Sequence, residues 1–490
     1  MRRQLIVTVL VLFSASLAVA AEIPQRPEDL VYGTVDWQIP DADSIRFELD
    51  NGTPIYALAD HSFPLVNVAV YFRGGRYLVP EGSEGLHSIA AEVWRTGGAG
   101  EFSASELDEE LDFLAANLST NIGDVTGSVS LNVLTKDLDK AMALLMSVLT
   151  DPRFQADRFA KAKDDMLQGM KTRNDNTASI EGREWSRLIY GDDYFKNRLA
   201  TKGSVEALTP DQARAFATSL IRSDNIVIAI SGDFDEAGLK AFLEASFGSI
   251  PALDEPLPSI PQPDHTPAPG VYVVNKGDVN QGRVSYGHLG YRLGDPDQFA
   301  LMVGNDIVGG YGFTARMMKT IRSDEGLAYG AYSALGFPTT YPGTVRAFFQ
   351  SKSSTCAYAA KIGMDLFGEM LTDPVTAEEL EVSKNGFIET FPKSFQSAAQ
   401  TVSVYAVDEL LGRPHEYWVD YRDKVAAVDA EAITEAFNAK IHPGKMIFLI
   451  VGNIAEIMEG HPDHEASFTD FGEIHELPLR DPMTLEPITE

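Results

Sequence analysis

Apolar residues follow two different spacings along this chain, and each spacing predicts a type of element. Recurrence every three or four residues is typical of amphipathic helices and occurs at 138–149, 158–171, 359–371 and 378–389. Short apolar or alternating runs predict strands at 45–49, 55–59, 65–72 and 127–133. Asn51-Gly52, between the first two runs, indicates a hairpin turn.

The same order of elements occurs twice. Leu149-Thr150-Asp151-Pro152 is repeated as Leu371-Thr372-Asp373-Pro374, and a helical pattern lies on each side of both copies. Further on, the apolar strand 226–230 runs to Gly232-Asp233, as 446–451 runs to Gly452-Asn453. The chain is therefore predicted to contain two copies of one unit.

Capping chemistry supports the helices, and prolines separate the two copies. Thr209-Pro210-x-Gln212 and Thr376-x-x-Glu379 are capping boxes at predicted helix starts. Residues 251–269 carry seven prolines, which disfavour helix and central strand and make the segment stiff. We therefore expect an α+β protein with two homologous domains, 21–250 and 270–490, each a mostly antiparallel sheet covered by helices, joined by the Pro-rich linker 251–269.

The first twenty residues have the pattern of a signal peptide. Arg2 and Arg3 precede the apolar run Leu5–Phe13, and Ala18-Val19-Ala20 is a small-x-small cleavage site. The expected location is outside the cytoplasm, most simply the periplasm. No later apolar run approaches the ~20 residues that a membrane span needs, so the mature chain is predicted to have no membrane anchor.

Charge and cysteine content exclude several classes of function. The net charge of −31 repels the phosphates of nucleic acids, which are therefore not expected as partners. Cys356 is the only cysteine, so an internal disulfide cannot form, and a buried inert thiol is expected.

Three motifs stand out in the first half: Leu49-Asp50-Asn51-Gly52, Gly74-Gly75-Arg76, and the run from Gly85-Leu86-His87-Ser88 to Glu92 ahead of Gly97-Gly98. Together they resemble the N-terminal domain of the pitrilysin/insulinase zinc peptidases. The resemblance covers almost the whole mature chain. It implies two homologous α+β domains. It also implies that two such chains, or one fused double chain, enclose a chamber of peptide size.

The zinc motif of that family is not matched by residues able to bind a metal. In catalytic relatives an H-x-x-E-H helix supplies two ligands and the general base, and a later Glu completes the site. The corresponding positions here are Ser88, Ala91, Glu92 and Gly169. His87 and Glu92 lie five residues apart, which on a helix turns them ~140° from each other. No metal is therefore expected in this chain.

A second family motif is matched. Arg322-Ser323-Asp324-Glu325-Gly326-Leu327-Ala328-Tyr329 resembles the Arg and Tyr pair that, in active relatives, binds the substrate and stabilises the tetrahedral intermediate. On the residues alone, Arg322 could equally end a helix and Tyr329 could be an ordinary strand aromatic.

These features predict a non-catalytic subunit of an exported zinc peptidase. Its expected partner is a homologous zinc-bearing chain, whose site Arg322 and Tyr329 complete in trans for the cleavage of short or unfolded peptides. The chain alone would then be inactive, and the zinc would belong to the partner. Two alternatives stay open, namely a structural or peptide-binding scaffold and a self-sufficient peptidase with atypical metal ligands.

Overall fold

The computed structural model describes residues 26, 30, 37–253, 255–310 and 312–488. The predicted signal peptide lies outside these residues. Every element below belongs to the compact unit Ile39–Glu490.

The first half is built on a six-stranded sheet. Its strands are β1 (Arg46–Glu48), β2 (Pro54–Ala59), β3 (Leu65–Arg73), β4 (Asn117–Ile122), β5 (Thr126–Leu134) and β6 (Ile226–Gly232). They lie in the order β1-β2-β6-β3-β5-β4. All neighbours are antiparallel except β2 and β6. The hairpin predicted at Asn51-Gly52 is confirmed, and Gly52 has the positive φ of 83° that such a turn favours.

The first half has eight helices in the described residues: α1 (Leu86–Thr96), α2 (Ala104–Phe113), α3 (Leu138–Thr150), α4 (Ala156–Lys171), α5 (Thr177–Tyr190), α6 (Lys202–Ala207), α7 (Pro210–Ser219) and α8 (Glu236–Phe247). All of them except α5 form one hydrophobic core with this sheet. Alternate residues of β3, from Val66 to Phe72, are buried and face these helices. Trp94 of α1 is fully buried, and its indole N–H donates to the Val148 carbonyl at 2.8 Å.

The second half repeats this arrangement. Its strands are β7 (Gly270–Asn275), β8 (Gln281–Leu289), β9 (Ala328–Leu335), β10 (Thr344–Lys352), β11 (Ile447–Gly452) and β12 (Ile474–Leu477), in the order β12-β7-β11-β8-β10-β9. Its helices are α9 (Gln298–Gly309), α10 (Cys356–Thr372), α11 (Ala377–Thr390), α12 (Ala398–Leu411), α13 (Glu416–Ala426), α14 (Ala430–Lys440) and α15 (Ile454–Glu459). Apart from its outer strand, which here comes from the end of the chain, the order matches that of the first sheet. The predicted α+β fold with two repeated halves is confirmed.

The two halves exchange a helix. Helix α12 packs on the open face of the first sheet, against β2, β3 and β6, and α5 packs on the second sheet, against β8 and β11. Each half therefore contributes one helix that covers the sheet of the other half. The described residues of 251–269 are neither helix nor strand. The domain boundaries at 250 and 270 stay predictions.

Within the described ranges, no helix has the length and apolar character that crossing a bilayer requires.

Candidate functional site

Helix α1 presents the first three degenerate zinc positions. The helix starts after Gly85 and packs on β4, α4 and α7. Its buried face contains Ile89, Ala90, Val93 and Trp94. Ser88 and Glu92, one helical turn apart, are exposed, and Ala91 is partly exposed. At these three positions the helix carries a hydroxyl, a methyl and one carboxylate.

Helix α4 presents the fourth position. Gly169 lies near the end of this helix and is exposed, and a Cβ added there would have no atom within 4 Å. The space for a ligand side chain is therefore open, but no side chain fills it. Because a catalytic zinc takes three protein ligands, these residues do not fit the metal. In the described part of the chain, no group of three or more His, Cys, Asp or Glu side chains is placed to hold an ion.

His87 does not compensate for the missing ligands. Its ring is buried beneath α1, where Ser88 Oγ lies 3.1 Å from Nε2, and Arg76 Nε donates to the same atom at 3.4 Å. Burial, followed by the charge of Arg76, lowers the pKa of His87 to about 4. The ring is therefore neutral and points into the protein, whereas Glu92 faces solvent.

The Arg/Tyr motif lies at an irregular junction of the second half. Arg322 belongs to a seven-residue π-helix, Met318–Asp324, and Tyr329 follows at the start of edge strand β9. The pairing of β9 with β10 is interrupted by a bulge between Phe349 and Ser351, opposite this start. Both π-turns and bulges are enriched near functional sites, where they redirect side chains.

Three side chains form a stacked cluster at this junction. The Arg322 guanidinium lies 4.8 Å from the ring centroid of Tyr329 and 4.8 Å from that of Phe313. The rings are 86% and 71% exposed, respectively. No carboxylate forms an ion pair with Arg322 among the described residues. The cluster thus holds a guanidinium in place with two aromatic faces and leaves its N–H groups available for a ligand.

Phe313 is a member of this cluster that the sequence did not identify. It directly follows the Gly309-Gly310-x-Gly312 loop. Gly310 permits a close turn there, because a Cβ would lie 2.3 Å from the Asp306 carboxylate. An exposed aromatic after a glycine-rich turn is the signal that could have drawn attention to it.

Comparison with known proteins agrees with this geometry. A family model described as "Peptidase M16 inactive domain" matches residues 207–387. The chain is a homologue of the peptidase M16, or pitrilysin, family with degenerate zinc positions.

Sequence relatives of this M16 homologue include proteins named both as proteases and as non-peptidases. It is 23% identical over 397 residues to the "Uncharacterized zinc protease YmxG" of Bacillus subtilis, covering 79% of this chain and 93% of that one. It is 21% identical over 406 residues to the "Non-peptidase homolog YmxG" of Helicobacter pylori, covering 82% and 92%.

Solved structures share the fold. A peptidase M16 inactive domain from Pseudomonas fluorescens superposes with a TM-score of 0.73 at 23% identity, over 83% of this chain and 97% of that one. The periplasmic protease PqqL from Escherichia coli gives a TM-score of 0.71 at 16% identity, over 83% of this chain and 45% of PqqL.

The structure does not bring the two candidate clusters of the M16 homologue into contact. No hydrogen bond, ion pair or ring contact among the described residues links Ser88, Glu92 or Gly169 to Arg322 and Tyr329. One chain therefore holds a degenerate zinc helix and an Arg/Tyr pair as separate surfaces.

The remaining candidate groups are structural. Cys356 is buried at the start of α10, and burial raises the pKa of its thiol to about 12, as expected for an inert cysteine. His288 and His442, which stand singly in the sequence, stack with ring centroids 5.7 Å apart. Burial lowers the pKa of both. Since no third ligand joins these two rings within the described ranges, the pair indicates packing.

Proposed function

We propose that this protein is the non-catalytic subunit of an exported, heteromeric zinc peptidase that acts on short or unfolded peptides. The partner is a homologous chain with an intact H-x-x-E-H helix, and it holds the zinc. Arg322 and Tyr329 complete the partner's site in trans, bind the substrate main chain and stabilise the transition state.

The observation that supports this proposal most strongly is the Arg322 cluster. A guanidinium stacked on two exposed rings has little rotamer freedom left to lose on binding, and no carboxylate in the described ranges pairs with it and competes for its N–H groups. The Tyr329 hydroxyl adds a second donor. A pair of fixed donors suits a carbonyl oxygen that gains negative charge during acyl transfer.

The degenerate helix supports the other half of the proposal. Ser88, Ala91, Glu92 and Gly169 offer too few ligands for zinc, so the cluster serves chemistry only if a second chain provides the metal. A family whose relatives include a "zinc protease" and a "non-peptidase homolog" is compatible with such a division.

The test uses the complex of the two chains. The chain is purified from its native host and examined for a companion of similar size with an H-x-x-E-H helix. Peptide turnover is then measured with wild type, Arg322→Ala and Arg322→Lys. Loss of one donor to the developing oxyanion should lower kcat by about 10²–10³-fold for Arg322→Ala. The kcat of Arg322→Lys, which keeps the positive charge but not the planar guanidinium, should lie between those of wild type and Arg322→Ala.

Arg292→Ala is the matched control, because Arg292 is an exposed arginine of the same half that lies outside the cluster. Its turnover should equal that of wild type. Unchanged turnover of Arg322→Ala in a competent complex would contradict the trans role and favour a scaffold. Stoichiometric zinc and chelator-sensitive hydrolysis in the isolated chain would contradict the division of labour.

A further inference from the structure

The open face of the first sheet carries an uncharged polar surface near edge strand β4. The strand registers place three rows of side chains on this face, each crossing β4, β5, β3 and β6 in turn. The rows are Asn117–Asn132–Asn67–Ser231, Ser119–Ser130–Ala69–Ala229 and Asn121–Ser128–Tyr71–Val227. We name these twelve residues the amide face.

The composition of the amide face is unusual for this chain. None of its twelve residues is charged, although 23% of the whole chain is Asp, Glu, Lys or Arg. The corresponding face of the second sheet is charged, since Arg283 and Arg346 there hold Glu181 of α5. Repetition of the fold therefore does not explain the neutrality of the first face.

A cavity of about 270 Å³ lies over the amide face and has unused hydrogen-bonding groups. It is enclosed on one side by Val402 and Ser403 of α12. Ser231, which is 1% exposed, lines it, and its hydroxyl has no hydrogen-bond partner among the residues that the structure describes. Asn132 Nδ2 donates to Asn67 Oδ1 at 2.7 Å, which orients both amides and leaves further donor and acceptor capacity.

We infer that the amide face binds peptide segments that are polar but uncharged, rich in Ser, Thr, Asn, Gln and Gly. Amides and hydroxyls can replace the water around such side chains. A charged side chain would lose hydration there without meeting an opposite charge, which costs binding energy. The net charge of −31 further disfavours acidic segments.

The occupant is a peptide because an open sheet edge borders the surface. Strand β4 is the outermost strand, so its outer main-chain groups are available to an extended chain. A strand added there would place alternate side chains beside Asn117, Ser119 and Asn121. The inference rests on the proposed peptide-binding function, but it requires neither Arg322 nor the partner's zinc.

The experiment measures peptide binding to the isolated full-length chain by fluorescence anisotropy. Three labelled peptides of equal length are compared: a neutral Ser/Thr/Asn/Gly sequence, and versions with Glu or with Lys at alternate positions. Wild type should bind the neutral peptide about tenfold or more tightly than either charged version. Comparable affinity for all three peptides, or tighter binding of a neutral oligosaccharide than of the neutral peptide, would overturn the inference.

A charge placed on the amide face provides the second arm. Ser119 is exposed on β4, so Ser119→Lys is compatible with folding. This variant should bind the neutral peptide about fivefold or more weakly than wild type does, and the Glu peptide about fivefold or more tightly. Ser219→Lys, the same change at an exposed serine of α7, should leave the affinity for both peptides unchanged. Unaltered preference in Ser119→Lys would refute the site. Because no turnover is measured, this failure is distinct from failure of the trans role of Arg322.

Discussion

Glu181 should be the most sensitive point of the contact between the two halves. This residue of α5 is 2% exposed and accepts hydrogen bonds from Arg283, Arg346 and Ser285 of the second sheet. Both arginine side chains are 23% exposed. Glu181→Ala therefore leaves two partly buried guanidinium groups close together without their shared carboxylate.

The expected loss in the free energy of unfolding is about 3–5 kcal/mol, as for breaking a buried ion pair from one side. The exchanged helix of the other half gives a comparison. Glu409 of α12 binds Arg46 at 2.7 Å, but the two side chains are 25% and 28% exposed. Because the Glu409 carboxylate is 25% exposed, against 2% for Glu181, its pair with Arg46 is already partly hydrated in the folded protein, and Glu409→Ala should cost less, about 1–3 kcal/mol.

Urea unfolding followed by tryptophan fluorescence measures both variants. Trp185 stacks on Arg346 at 5.2 Å and reports on the contact directly. Glu435→Ala, at an exposed position of α14, is the control and should be neutral within about 0.5 kcal/mol. The reasoning fails if Glu181→Ala unfolds at the wild-type midpoint, or if Glu409→Ala is the more damaging change.

Three further predictions concern buried groups. The pKa of His87 is about 4 in the folded protein and 6.5 in its unperturbed state. Because only the unfolded chain binds the proton between these values, the free energy of unfolding decreases as pH falls from 6.5 towards 4. His87→Leu should reduce this loss by up to about 3 kcal/mol in acid denaturation curves. Gly363→Ala should lower the free energy of unfolding by about 1–3 kcal/mol, because its Cβ would meet the buried Tyr286 hydroxyl. Gly368→Ala, on the same helix, places its Cβ in open space and should raise the melting temperature slightly in thermal melts. Cys356 should resist thiol reagents at neutral pH in the native protein and react after unfolding in urea.

Features fixed by neighbours in sequence could be predicted. The capping boxes at Thr209 and Thr376 are present, with Gln212 N and Glu379 N donating to the threonine hydroxyls at 3.3 and 3.2 Å. The Asn51-Gly52 turn is likewise present. Each of these involves atoms no more than a few residues apart, so local chemistry decides them.

Features made by distant residues could not be predicted. Strand β6 inserts between β2 and β3 although more than 150 residues separate it from β3. The exchange of α5 and α12 depends on packing between halves, and the stack of Phe313 on Arg322 depends on how the glycine-rich turn folds back. No periodicity in the sequence encodes these contacts, since apolar spacing tells which face of an element is buried but not which element covers it.

Burial separates what this fold needs from what its sites need. Helix α1 keeps its buried apolar face while Ser88 and Glu92, on its exposed face, carry no packing, so the zinc residues can be absent without loss of the domain. The same criterion applies to Tyr329, which is 86% exposed and fills no core. Stability therefore gives no reason for an aromatic ring there, nor for a guanidinium stacked against it. A ligand outside this chain gives one, and a carbonyl oxygen that accepts hydrogen bonds from both side chains matches their chemistry.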